Sequence, residues 1–121
     1  MIARAALAAA VAAALCGAVP GEARAPGRLM VLGDEYSLVL SRPSIAAGPA
    51  VVQFVNRGED PHDLRLQRIG GARVASVPET PSETLAQAQV RLRAGTYRLW
   101  CSLPGHRERG MRAKLRVRRG H

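Results

Sequence analysis

Between Cys101 and Met111 the chain reads Cys-Ser-Leu-Pro-Gly-His-Arg-Glu-Arg-Gly-Met, and no other stretch constrains the fold as much. It places a thiol, an imidazole and a thioether in one short turn between two alternating runs. Upstream, Tyr97, Leu99 and Cys101 share one parity; downstream, Met111, Ala113, Leu115 and Val117 share another. Successive side chains of a strand point to opposite faces, so Cys101 and Met111 should both face a core, with His106 in the turn between them. Five residues of extended chain reach at most about 17 Å, and Pro104-Gly105 can fold the segment back on itself. His62, in Asp60-Pro-His-Asp-Leu, sits in a loop leading into another strand, and sheet packing could bring it to the same end.

The rest of the chain continues this pattern. Period-two alternation appears in Tyr36-Ser-Leu38-Val-Leu40, in Leu64 and Leu66 on either side of Arg65, and in Val90 and Leu92, which alternate with Arg91 and Arg93. Ala50 to Val55 is rich in β-branched and aromatic residues. Turn signals at Arg42-Pro-Ser, Gly48-Pro49, Arg57 to Pro61, Gly70-Gly71, Pro78 to Pro81, Ala94-Gly95 and Pro104-Gly105 punctuate these runs. Thr84 to Gln89 could make a short helical turn but lacks an amphipathic pattern. Seven to eight short strands at this spacing predict an all-β, antiparallel sandwich. Met30 reads as a core residue, His121 as a tail residue, and Trp100 as lying on the face opposite Cys101.

The chain has 121 residues, enough for one domain. Its first 25 residues carry Arg4, an Ala/Leu/Val run to about Val19, a Pro20-Gly21 break and Ala23-Arg24-Ala25. That is the pattern of a cleaved signal peptide, leaving a domain over 26–121 in a periplasmic or otherwise exported setting. The run is too short to read as a membrane span, so no transmembrane span is expected after cleavage. An uncleaved anchor is the competing reading, and Leu15 argues against a lipid anchor on Cys16. After cleavage Cys101 is the remaining cysteine, in an oxidising compartment where an unpaired thiol is a liability unless buried or bound to metal.

The ligand chemistry points to copper. Two histidines and a cysteine in a trigonal arrangement, with a weak axial methionine, make an electron-transfer copper site. Soft sulfur favours Cu(I) and imidazole accepts Cu(II). Structural zinc recruits four strong Cys or His ligands, to which a thioether adds little. The chain has no C-x-x-C-H for haem, no C-x-x-C redox pair and no glycine-rich phosphate loop. A Cys101–His106 nucleophilic dyad would lack an identifiable third, orienting group, so no enzyme activity is expected.

The stretch Gly95 to Met111 resembles the C-terminal copper loop of the cupredoxins, specifically the azurin-, rusticyanin- and auracyanin-like members with a histidine five positions after the cysteine. Phe54-Val-Asn56 through His62-Asp63-Leu64 resembles the family's strand carrying its first histidine. The resemblance implies a Greek-key β-sandwich and one-electron transfer through a single copper ion. It also implies His62, Cys101 and His106 as equatorial ligands, Met111 as the axial ligand, and His106 as the point of electron entry and exit. Two departures stand out. Asp63 occupies a position where relatives often carry an Asn that ties the two ligand loops together, and Asp lacks the amide donor. Arg107, Glu108 and Arg109 surround the second histidine where relatives often carry small or apolar residues.

The formal net charge is +9, and all but one of the 18 basic residues are arginine. Many alternate with core positions, as Arg112, Lys114, Arg116 and Arg118 do, which is how a solvated sheet face reads. Such a face could also dock a redox protein through an acidic patch. Aromatics make up 3% of the chain, too few for a stacking surface, and export separates the protein from nucleic acid. The expected product is a monomeric single-electron carrier. Two rivals are a copper carrier using the same ligands and a metal-free interaction sandwich.

Overall fold

The computed structural model describes residues 25–120. The expected signal peptide over 1–25, Cys16 and His121 lie outside the described residues, save Ala25.

Nine strands are present: β1 (Gly27–Asp34), β2 (Ser37–Leu40), β3 (Ser44–Ala46), β4 (Gly48–Asn56), β5 (His62–Arg68), β6 (Val74–Thr80), β7 (Leu85–Leu92), β8 (Gly95–Trp100) and β9 (Arg112–Arg118). They form two sheets, in the orders β2-β1-β4-β7 and β3-β9-β8-β5-β6. The inner faces bury Leu29, Val31, Val52 and Phe54 from the first sheet against Leu64, Leu66, Leu99, Leu115 and Val117 from the second. Outward residues alternate with these, most clearly in β7, where every second residue from Leu85 is exposed. Thr84 to Gln89 therefore runs into a strand: β7 pairs with β4 from Val55↔Leu85 to Gly48↔Leu92.

Strand pairing and Met30 depart from the sequence reading. The sandwich is mixed, because β1 pairs parallel to β4 and β3 parallel to β9. Parallel neighbours need crossover connections, and here β2 and β3 carry the chain between β1 and β4. Met30 is not in the core but 37% exposed. It stands between Leu29 and Val31, which take the inward parity of β1.

At one end of the sandwich, β8 and β9 are joined by a turn containing a short helix, α1 (His106–Arg109), where only a turn was expected. Gly105 enters it with φ 80°. Gly110 leaves it with φ 128°, and a Cβ there would lie 2.7 Å from the Tyr36 carbonyl oxygen. Glycine is required at Gly110 on both counts.

Candidate metal centre

β8 and β9 pair in register as far as Trp100↔Arg112. The next rung is the Cys101 N–H donating to the Met111 carbonyl at 3.1 Å. Cross-strand geometry thus sets the two sulfur residues side by side, and both are fully buried. A Cβ built on Gly33 would lie 3.6 Å from the Met111 terminal methyl, so that side chain reaches under β1. Trp100, one residue before Cys101, turns outward as its parity requires.

His62 opens β5, which pairs with β8 on one side and β6 on the other. The register with β6 shifts between His62 and Leu64, a bulge of the kind that re-aims side chains. His62, Asp63 and Leu64 are consecutive buried residues as a result. His106, the first residue of α1, is partly exposed. Its ring packs edge-on to Tyr36 with centroids 5.2 Å apart, and to His62 at 5.0 Å.

These placements converge. His62 Nδ1 lies 3.1 Å from His106 Nδ1, and Cys101 Sγ lies 3.6 Å from His106 Nδ1 and 3.9 Å from His62 Nδ1. The donor set fits a metal ion. With metal–nitrogen bonds of about 2.0 Å and metal–sulfur bonds of about 2.3 Å, a trigonal centre separates nitrogen from sulfur by about 3.7 Å. The two observed Sγ–Nδ1 distances bracket that value. Burial pushes the Cys101 thiol above its ordinary pKa, opposed by hydrogen bonds from the Asp63 and Leu103 amides. A metal binding there displaces the thiol proton.

Asp63 does tie the two ligand segments together. Its Oδ1 accepts the Ser102 N–H at 2.6 Å, its Oδ2 accepts the Ser102 hydroxyl, and Arg65 Nε donates to Oδ2 at 3.4 Å. The tie runs through acceptors alone, so the missing amide donor costs the connection nothing.

Three contributors escaped the sequence reading. Buried Asn56 donates from Nδ2 to the carbonyls of Asp60 (2.8 Å) and Thr80 (2.9 Å), and accepts the Gly58 N–H at 2.8 Å. It thereby fixes the loop preceding His62. Tyr36 backs His106. Glu35, in the β1–β2 turn, accepts a hydrogen bond from His62 Nε2. Its carboxyl sits below the ordinary carboxylate range, chiefly because the Glu59 amide donates to it, with His62 and Asp60 adding to the effect against desolvation. Asn56 was readable only as part of the stretch that resembles the family's first-histidine strand, with no role of its own; nothing in the spacing of Glu35 marks it as a neighbour of His62.

No protein-family model matches the chain, and no curated protein matches it. Solved structures do. Auracyanin A, a blue copper protein from the green thermophilic photosynthetic bacterium Chloroflexus aurantiacus, aligns with a TM-score of 0.63 at 18% identity, over 77% of this chain and 99% of its own. Auracyanin B aligns with a TM-score of 0.66 at 19% identity, over 78% of this chain and 91% of its own. Rusticyanin from Thiobacillus ferrooxidans aligns with a TM-score of 0.58 at 18% identity, covering 78% and 79% respectively. The likeness in fold spans most of each chain, and the fold of this chain is the cupredoxin β-sandwich.

Proposed function

We propose that this chain is a small exported type 1 copper protein that carries single electrons between redox proteins. One observation supports this most: two imidazole nitrogens and one thiol sulfur, from two segments far apart in the sequence, lie within 4.8 Å of one another. His62, Cys101 and His106 would hold the ion, with the buried Met111 beside them as a weaker sulfur donor. Copper bound there supplies a centre that alternates between Cu(I) and Cu(II). The protein's own part is to keep the ligands in one arrangement for both states. Cross-strand pairing fixes Cys101 and Met111, and the Asn56-tied loop fixes His62. Cys101, His62 and Glu35 do stand in line, but the Cys101 sulfur is fully buried and burial holds its thiol above the ordinary pKa, so the reading includes no catalytic turnover.

His106 is the ligand nearest solvent, and its surroundings are cationic. Arg107 lies 4.6 Å over the Trp100 ring, and Arg109 lies 5.0 Å over the Tyr36 ring while donating to its hydroxyl at 3.0 Å. A shallow groove lined by Arg98, Arg107, Arg112 and Lys114 continues the basic surface along β8 and β9. Opposite charge steers encounter, so the partner in this reading is a redox protein with an acidic patch. Among the described residues no helix is long and apolar enough to cross a membrane. Export rests on the Arg4, apolar run and Ala23-Arg24-Ala25 pattern, and the monomeric state is part of the same proposal.

Copper-loaded protein tests the site. An intense visible thiolate-to-copper charge-transfer band is expected; a colourless Cu(II) adduct, or no retention of copper, overturns the type 1 reading. Reversible electron exchange with a cytochrome then identifies a shuttle, whereas metal transfer to an apo-acceptor would identify a copper carrier.

A further inference from the structure

We propose that Glu35 is a positioning residue of the metal centre, whose carboxylate accepts a hydrogen bond from the His62 Nε2–H and so dedicates Nδ1 to the metal. A neutral imidazole has one nitrogen that donates and one that accepts. In His62 the choice decides whether a lone pair or a proton points at Cys101 and His106. The ring is fully buried, so water cannot make that choice. Glu35 Oε2, the hydrogen-bond partner of His62 Nε2, makes it.

The carboxylate is itself held. Glu59 N–H donates to Oε1 at 2.7 Å and Asp60 N–H to Oε2 at 3.4 Å. The Glu35 side chain is 22% exposed, so its open edge meets solvent while its working edge faces the loop. Gly58 makes room for it, since a Cβ there would fall 2.0 Å from Oε2. That loop is tied in turn by Asn56, by Arg57 N–H to the Gly33 carbonyl at 2.8 Å, and by the Ser82 hydroxyl to the Gly58 carbonyl at 2.6 Å. One carboxylate thus receives the histidine and the two amides that lead into it. A carboxylate acceptor makes a stronger, more orienting bond than a neutral one, and it raises the basicity of the ligand nitrogen opposite.

The metal arm of this inference rests on the copper reading; the tautomer arm does not. The test uses wild type, Glu35→Ala, Glu35→Gln and Gly58→Ala. Imidazole 15N–1H correlation spectra of the copper-free proteins report the His62 tautomer. Wild type should show His62 protonated at Nε2 alone. Glu35→Ala should show a mixture or Nδ1–H, and Glu35→Gln should retain Nε2–H through its amide oxygen. Gly58→Ala should weaken the bond by displacing an unaltered Glu35. Copper dissociation should quicken by about 10–100-fold in Glu35→Ala, and by less in Glu35→Gln. An unchanged tautomer together with an unchanged dissociation rate in Glu35→Ala overturns the proposal. If that variant does not fold, an unchanged His62 Nε2–H signal in Gly58→Ala overturns it instead. Failure of wild type to take up copper defeats the copper reading, and the tautomer spectra still decide the role of Glu35.

Discussion

The two histidines of the centre stand in opposite surroundings. His62 is sealed: its ring is buried, its outer nitrogen is bonded to Glu35, and the loop before it hangs on Asn56. His106 starts a helix of four residues bounded by two glycines, with Tyr36, Arg107 and Arg109 around it, and is partly exposed. The first half has its hydrogen bonds made within the protein, and the second presents cations laid on aromatic rings. In the proposed copper reading, the sealed half would fix one ligand within the protein and the open half would present the other to a partner. Perturbing the sealed half should change spectrum, metal retention and stability. Perturbing the open half should change encounter.

The largest effect should come from Cys101→Ser. It removes the soft donor that both halves share, and loss of the visible charge-transfer band with a sharp fall in copper retention is expected. An unaltered spectrum would dissolve the comparison altogether. Next is Asn56→Ala, which strips partners from two carbonyls and one amide in the sealed half. Leaving buried polar groups unpaired costs about 1–3 kcal/mol each, partly recovered by water, so a loss of about 2–3 kcal/mol is expected. Chemical denaturation of the copper-free protein measures it.

Charge reversal at the open half should behave differently. Arg107→Glu with Arg109→Glu should slow association with an acidic redox partner by about tenfold at low ionic strength, with the difference fading as salt rises. Stopped-flow electron transfer reads this. Absorption spectrum and denaturation midpoint should stay where they were; a shifted spectrum would mean the open half also shapes the ligand field. The smallest effect is expected from Asp63→Asn. Its amide oxygen can still accept the Ser102 N–H, so folding stability should move by less than about 1 kcal/mol. Losing a negative charge beside the thiolate should favour the reduced state by an amount of order 1 kcal/mol, seen as a raised reduction potential in voltammetry.

How much of this was legible in the sequence follows from which interactions are local. Cys101, His106 and Met111 lie within one turn, and strand parity alone oriented the two sulfur residues correctly. The inward set Leu64, Leu66, Tyr97, Leu99, Leu115 and Val117 was equally readable, because alternation is a property of each strand by itself. Pairing between distant strands is not. The parallel neighbours β1–β4 and β3–β9 depend on how crossovers pack, and no residue pattern within β1 announces β4. Met30 was misread because a methionine in an apolar run looks like core until the register of Leu29 and Val31 is known. The Glu35 contact with His62 and the Asn56 bond to Thr80 were invisible because the partners lie 27 and 24 residues away. Asp63 was seen as a departure from its relatives, but the Ser102 hydroxyl and amide that complete it needed the structure.

The candidate ligands His62, Cys101 and Met111 all belong to, or directly abut, the five-stranded sheet, whereas Glu35, Tyr36 and Gly33 come from the β1–β2 side of the other. One layer carries the donors and the opposite layer aims them. A chain in which the larger sheet had formed without its partner would possess the donors and lack the aim. Colour in a copper titration would therefore report docking of the two layers, not mere presence of the loop. Metal held only in the docked state would strengthen that docking in proportion to its own affinity, making the centre a latch across the sandwich.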